Sequence, residues 1–404
     1  MENISLEDAV AVILQHTVKI TQKEKAALMC SLGRTLAENI TADIDNPPFD
    51  RSPVDGYACR HEDIDSASRE NTIKLKVLEE VDAGGYTTRT IKTGEAVRIM
   101  TGAPIPAGCD CCIRQEDTDY GENTVSVYTP SKRFANFCHK GEDFTKGTLL
   151  LPAGTKIGYA EAALLACLGL SEVPVYHMPR IALFTTGDEV TQPGRALLPG
   201  KIYDSNLVML SMRLKELGAA PVITAAINDD PAAVTERLKS AATHCDLIIT
   251  TCGVSVGKKD ILHEALTLMG AERLFWRILL KPGSPMIFST YNNIPIASLS
   301  GNPFSAMVNF ELLIRPLLSE MTVGSISAPV RLEGIMADEF PKGGSMRRFI
   351  RAMIHGHEIR LPQSGRHASS MIVSLHDCNC LVDIPANHGP LKVHDKVSAM
   401  LLDV

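Results

Sequence analysis

The chain has 404 residues, 45% of them apolar and 22% charged, with a formal net charge of −7. A charged fraction this ordinary excludes a disordered chain, and no apolar run reaches the roughly 18 residues that a membrane-spanning helix needs. The acidic balance, with no long basic block, argues against nucleic acid or an anionic membrane as partner.

The length predicts two to four domains at roughly 100–200 residues each, large enough to bury a core without covalent staples. The opening "MENISLEDAVAVILQHT" carries acids among its apolar residues and lacks the basic start of a signal peptide. The 11 cysteines, an odd and scattered count, read as reduced thiols of a cytoplasmic protein. "CDCC" (Cys109, Cys111, Cys112) and "DCNC" (Cys378, Cys380) invite a metal reading. Both sit in apolar, strand-like runs, so packing is the expectation.

In chain order, Ser5 to Asp8 resembles a capping box at the start of a helix. "NPPFDRSP" marks a boundary near residue 45, and residues 46–145 alternate short β-rich runs with Gly and Pro turns, predicting a mostly β insertion. A strand and a helix near residues 160–168 follow. From residue 180 strands and helices alternate: "RIALFTT", "APVITAAI", "DLIITT" and "IPIASLS" are strand candidates. "DSNLVMLSMRLKELG", "DDPAAVTERLKSAA", "DILHEALTLMG" and "NPFSAMVNFELLIRPLL" are helix candidates, with Asp204 or Ser205 and Asp230 as caps. This grammar predicts a doubly wound, mostly parallel α/β sheet. The last ~75 residues return to short strands and predict a small β domain.

In such a sheet ligands bind outside the carboxyl ends of the strands. Those ends carry Gly187, Asp188 and Glu189; Asn228, Asp229 and Asp230; the loop from Gly253 to Asp260; and Gly301 with Asn302 at a helix start. Glycines let a ligand approach backbone, and helix N-termini present free N–H groups to anions. Carboxylates beside an anion site call for a cation, so a phosphorylated ligand with Mg²⁺ is predicted. Structural readings stand beside these: Asp230 as a helix cap, Glu189 as a solvated loop acid, Gly253 and Gly257 as turn residues. The stretch "GVSVGKKD" admits three readings. It is too short between glycines for a phosphate loop, and it sits on too slack a turn for a nucleophile elbow at Ser255. A loop whose amides and hydroxyl hold an oxyanion fits better.

The motifs just described, with several others in order, resemble the molybdopterin molybdenumtransferase family of the MoeA type, related to the E domain of gephyrin. The markers are "PPFDRSPVDGYA" (47–58), "RIMTGAPIP" (98–106), "GED" (141–143), "FTTGDEV" (184–190), "IYDSN" (202–206), "GVSVGKKD" (253–260), "FWRILLKPGSP" (275–285) and "SGNPFSA" (300–306). The resemblance covers nearly the whole chain. It implies an elongated domain I (1–45 and 146–178), a β-rich domain II (46–145), an α/β molybdopterin-binding domain III (179–325) and a C-terminal β-barrel (326–404). It also implies a homodimer with domain II of one subunit facing domain III of its mate, and docking of a separate adenylylating molybdopterin enzyme. The implied reaction inserts molybdate into adenylylated molybdopterin with Mg²⁺-dependent release of AMP.

Position by position, the family's functional acids fall on Asp55, Asp143, Glu189, Asp229 and Asp260, with Thr101 in the "TGA" turn. Glu189, Asp229 and Asp260 are the implied metal ligands. Substrate binding falls on Gly187, Asp188, Gly253, Ser255, Gly257, Arg277, Lys281, Gly301, Asn302, Pro303 and Ser305. The chain departs from the family where Cys252 replaces a glycine, where Ser284 and Arg277 replace lysines, where Ser300 replaces a proline, and where Met346 replaces an arginine, with Arg347 beside it as a substitute. A charge-assisted contact is worth roughly 1.5–3 kcal/mol, so the uncharged Ser284 predicts molybdate binding weaker by about 10- to 100-fold. Alternatives are a molybdopterin-binding scaffold, a divergent paralogue using tungstate, and a serine hydrolase at Ser255.

Overall fold

The computed structural model describes residues 1–251, 261–362 and 367–402. Its largest sheet has seven strands in the order Glu2–Ile4, Glu272–Ile278, Ile287–Tyr291, Ile294–Leu299, Leu247–Thr251, Ile181–Thr186, Pro221–Ile227. The last four are mutually parallel. Ile287–Tyr291 runs antiparallel to both its neighbours, so the sheet is mixed toward one side. Ile181–Thr186 and Leu247–Thr251 are buried at every position, as strands covered on both faces must be. The chain leaves Ile181–Thr186 for the outer strand Pro221–Ile227 and then returns to the other side with Leu247–Thr251. The topological switch point therefore lies between these two returns, at the carboxyl ends of Ile181–Thr186 and Leu247–Thr251.

Side-chain alternation sends Leu183, Ile249 and Phe288 into one core and Ala182, Phe184 and Ile248 into the other. Helices Pro231–Ala242 and Ile261–Met269 close the second face. Helix Ser205–Glu216 and the helical run from Pro303 to Met321, including the π-turn Phe310–Ile314, close the first. The expected caps are present. The Asp204 carboxylate accepts the Leu207 N–H at 3.0 Å and Asp230 that of Ala232 at 3.1 Å. Helix Leu6–Gln15 starts at Ser5, whose hydroxyl accepts the Asp8 N–H at 3.0 Å.

One grouping differs from the sequence reading. The first 15 residues do not join the elongated segment. Glu2–Ile4 pairs in parallel with Glu272–Ile278, and Leu6, Ala9 and Ile13 pack into the first core. A three-residue strand carries no periodicity to announce its partner. Beyond it, Lys23–Ala27 pairs with Glu172–Tyr176, and Ile40–Thr41 with Leu149–Leu151, flanking helix Tyr159–Cys167.

The β insertion is a five-stranded sheet in the order Cys111–Arg114, Gly56–Cys59, Glu95–Ile99, Ile73–Val81, Thr124–Val127. Cys111 and Cys112 point to opposite faces, Cys111 beside Tyr57 and Cys112 beside Ala58, as the packing reading expected. At the C-terminal end, Arg347–His355, Glu358–Arg360, Arg331–Met336, Lys396–Leu401 and Cys380–Ile384 form a five-strand barrel, closed by the pairing of its first and last members in that order. The short strand Leu280–Lys281 leaves the α/β sheet and adds to this barrel beside Arg347 and Arg348. Deep between the two lies an ionic cluster. Glu311 accepts from Arg213 at 2.6 Å and from Arg315 at 3.1 Å, and Arg315 also donates to the Ser327 carbonyl at 3.1 Å. Among the described residues no helix is long and apolar enough to cross a membrane.

Candidate active site

A cleft of about 690 Å³ opens at the carboxyl edge of the α/β sheet. Its walls come from the ends of Ile181–Thr186 and Ile294–Leu299, on either side of Leu247–Thr251. Thr185, Glu189, Asp204, Asn206, Pro285, Ser300, Gly301, Asn302, Pro303 and Ser370 line it. Strand geometry explains the arrangement, because parallel strands end at one edge and bring the residues that follow Thr186 and Leu299 to one place.

The local geometry is tied together from below. Asp204 is buried and accepts a hydrogen bond from the Thr185 hydroxyl while it caps its own helix. Asn206 donates from Nδ2 to the Gly301 carbonyl at 2.8 Å, joining the two walls. Gly187 has φ +140, and a Cβ there would lie 2.7–2.9 Å from the carboxylate of Glu189. The turn thus folds Glu189 back over its own backbone, which only glycine at 187 permits. The Asp229 N–H donates to Asp188 Oδ1 at 3.1 Å, so the acids that follow two different strands meet at the mouth. Asn302 opens helix Pro303–Asn309 without a side-chain cap bond, and Pro303 occupies its first turn.

Of the residues singled out in the sequence, Glu189, Gly301, Asn302 and Pro303 line the cleft, and Gly187, Asp188 and Asp229 adjoin it through the contacts above. Gly253, Ser255, Gly257 and Asp260, with Cys252, lie outside the described residues. Arg277, Lys281 and Ser305 do not line the cleft. Arg277 is the penultimate residue of strand Glu272–Ile278, two strands from Ile294–Leu299, Lys281 belongs to the strand that joins the barrel, and Ser305 is buried in the helix. Asp230 acts as a cap, its structural reading.

Asp55, Thr101 and Asp143 lie in and beside the β insertion and line no part of the cleft. Asp55 Oδ1 accepts both the Thr101 N–H and its hydroxyl at 2.7 Å, and these bonds hold its carboxyl below the ordinary value. Asp143 accepts from Asn46 Nδ2 at 2.9 Å.

Met346 and Arg347 are elsewhere: both line a separate cavity of about 610 Å³ beside the N-terminal helix. Arg347 cannot stand in for a cleft arginine, because its guanidinium is committed to Asp383 at 2.6 Å and to Glu7.

Sequence reasoning missed Arg351. It is fully buried on the barrel strand Arg347–His355, and its guanidinium lies 4.0 Å from the centre of the Phe304 ring. It donates to the carbonyls of Ala368 and Met371 at 2.6 Å each, framing the segment that carries Ser370 into the cleft wall. Among the described residues no carboxylate pairs with it, and burial pulls its pKa down. An arginine between Ile350 and Ala352, in an otherwise apolar run, was the available signal.

Metal binding was tested on the donor set. Among the described residues no group of three or more His, Cys, Asp or Glu side chains is placed to hold an ion. Of the implied acids among the described residues, Glu189 alone lines the cleft, next in sequence to Asp188, whose carboxylate accepts the Asp229 N–H. Mg²⁺ characteristically takes one or two protein carboxylates together with water and substrate phosphates, so the residues fit such an ion.

Residues 4–169 match the MoeA N-terminal region (domain I and II), residues 182–320 a probable molybdopterin binding domain, and residues 333–402 the MoeA C-terminal region (domain IV). The molybdopterin molybdenumtransferase of Bacillus subtilis (strain 168) is 37% identical over 376 residues, covering 92% of this chain and 87% of that one. The chain belongs to the MoeA family. A second MoeA relative, the molybdopterin molybdenumtransferase of Nostoc sp., is 31% identical over 393 residues, covering 94% of this chain and 90% of its own. The crystal structure of the molybdopterin biosynthesis moea protein from Pyrococcus horikosii superposes with a TM-score of 0.79 at 30% identity, covering 99% of each chain. The MoeA architecture, an α/β domain with a β insertion and a small barrel, is that expected from the sequence.

Proposed function

We propose that this chain is a molybdopterin molybdenumtransferase of molybdenum cofactor biosynthesis, inserting molybdate into adenylylated molybdopterin with Mg²⁺-dependent release of AMP. The observation that carries the reading is the convergence of Glu189, Gly301, Asn302 and Pro303 on one cleft, with Asp188 and Asp229 at its mouth. The curated relatives bear that enzyme name.

In this reading the backbone of residues 301–303 and the N-terminus of their helix receive phosphate oxygens. Glu189 and Asp229, with Asp260, would hold Mg²⁺, which when bound neutralises charge on the phosphoanhydride and on the departing AMP. Arg277 and Lys281 meet the oxyanion, molybdate being the cargo. The buried Arg351 adds positive potential behind the wall formed by Ser370, and an anion in the cleft supplies its missing counter-charge.

Asp55, Thr101 and Asp143 act from a second subunit, their β insertion facing the cleft of its mate in a cytoplasmic homodimer. The domain limits proposed are 1–45 with 146–178, 46–145, 179–325 and 326–404, with the first strand and helix packed on the third. Docking of an adenylylating enzyme belongs to the same reading. Glu189→Ala and Asp229→Ala should each reduce Mg²⁺-dependent AMP release by about 100-fold or more while molybdopterin still binds. Unchanged release in both variants would remove the roles assigned here.

A further inference from the structure

Trp276 is the single tryptophan of the chain. Its strand, Glu272–Ile278, is antiparallel to Ile287–Tyr291, which is antiparallel to Ile294–Leu299. It therefore runs in the sense of the parallel strands, and its carboxyl end opens on the edge that carries the cleft. In register, Trp276 lies opposite Ile287, Ile287 opposite Ser298, and Ser298 opposite Thr250. Arg277 is thus level with Leu299 and Thr251, at the rim of the sheet.

Arg277 has φ +64, in the left-handed region that residues with a Cβ avoid. Its guanidinium lies 4.6 Å from the centre of the Trp276 ring. Arg273 reaches the same ring at 5.9 Å, and the His263 ring meets it edge-on at 4.7 Å and 86°. Arg273 is in turn within 3.0 Å of His263 Nδ1. The indole Nε1 is buried and has no hydrogen-bond partner among the described residues. A tryptophan whose N–H is shut off from water, even on a half-buried ring, ordinarily places it on an acceptor. Here the ring packs against the second core and makes aromatic and cationic contacts, with no acceptor for its N–H among the described residues. A strained backbone and an unsatisfied N–H at adjacent residues are two costs in one place, the pattern of a site shaped for a task.

We propose that Trp276 is a positioning residue, a platform that fixes the Arg277 guanidinium at the rim of the sheet for an oxyanion ligand. This rests on the reading that Arg277 meets an oxyanion. A flat guanidinium stacks on an indole where an ammonium makes only a point contact, so the platform suits the arginine found here. Arg277 and Lys281 are the only cations between residues 275 and 285, Ser284 being uncharged. Holding Arg277 before the anion arrives lowers the ordering cost of binding.

The test is calorimetric titration of the full chain with sodium molybdate, on wild type, Trp276→Leu, Trp276→Phe, Arg277→Ala and the Trp276→Leu/Arg277→Ala double variant. Trp276→Leu should raise Kd about fivefold, and Trp276→Phe should recover most of that loss. In the Arg277→Ala background the tryptophan substitution should add nothing. Wild-type tryptophan emission should change on titration, and that of Arg277→Ala should not. If Trp276→Leu weakens binding equally with and without Arg277, the indole acts through packing and the proposal falls alone. If Arg277→Ala binds as wild type does, or wild type binds no molybdate, the reading of the site falls and takes this inference with it. Should Trp276→Leu lose its melting transition, the Trp276→Phe pair of titrations carries the same comparison.

Discussion

Arg315 and Arg351 are both fully buried arginines of this chain, one within the α/β domain and one on the barrel strand that faces it. Arg315 shares Glu311 with Arg213 and spends further donors on backbone carbonyls. Arg351 has carbonyls and a phenyl ring but no acid among the described residues. Burying a charge is tolerated when a partner and hydrogen bonds replace water. The first site gives its charges acids within the fold, although Nη2 of Arg315 is buried without a partner among the described residues. The second leaves its positive charge open and sits directly behind a wall of the cleft. A charge balanced inside the protein fixes two domains together, whereas one left open favours an anion from outside.

The largest effect expected is at the balanced site. Glu311→Gln leaves the fully buried Arg315 without a counter-charge and Arg213 with only the exposed Glu216, and should cost about 3–5 kcal/mol of stability in chemical denaturation. A loss below about 1 kcal/mol would erase the contrast with Arg351. At the open site the expectation reverses. Arg351→Met should change stability by only about 1–2 kcal/mol, because lost carbonyl bonds are offset by relief of an unpaired charge. It should weaken molybdate binding by about tenfold, and molybdate should raise the melting midpoint of wild type more than that of the variant. Equal ligand stabilisation of both would show that the open charge does not act on the cleft.

The smallest effect concerns a third, intermediate case. Asp383 is pushed up by burial, but hydrogen bonds from Arg347 and Arg331 and their charges outweigh that and leave its pKa lowered. A carboxyl lowered in the folded state contributes stability that is present above its unfolded value, near 3.9, and is lost as pH falls through the folded value. Denaturation midpoints measured from about pH 5 down to pH 2 should therefore fall less steeply for Asp383→Asn than for wild type. The arginines are partly exposed, so solvent screens the pair and the difference at neutral pH should be about 1 kcal/mol.

The elements that were legible in the sequence share a physical reason. "IALFTT" and "LIITT" are continuous apolar and β-branched runs because both faces are covered, and such strands announce a parallel sheet whose carboxyl ends hold the site. Glu189, Asp229 and Gly301 followed from that rule. What stayed hidden depended on contacts between distant segments. Glu2–Ile4 has no pattern of its own, and its place comes from Glu272–Ile278. Arg347 is adjacent in sequence to a position expected to carry a family arginine, yet its strand directs it to Asp383 and Glu7. Arg351 is recognised only once the segment containing Ala368 and Met371 is folded around it. Within one chain Asp55, Thr101 and Asp143 line no part of the cleft, as the family resemblance implied in placing the β-rich domain of one subunit against the α/β domain of its mate.

The edge strand Glu2–Ile4 also has a kinetic implication. It is made well before the strand it must join, which is completed only with Ile278. Until then Leu6, Ala9 and Ile13 have no apolar surface to cover them. Long-range parallel pairing of this kind forms slowly. The nascent chain therefore carries an uncovered amphipathic helix until that strand is made, a natural handle for a chaperone and a point where premature association would begin.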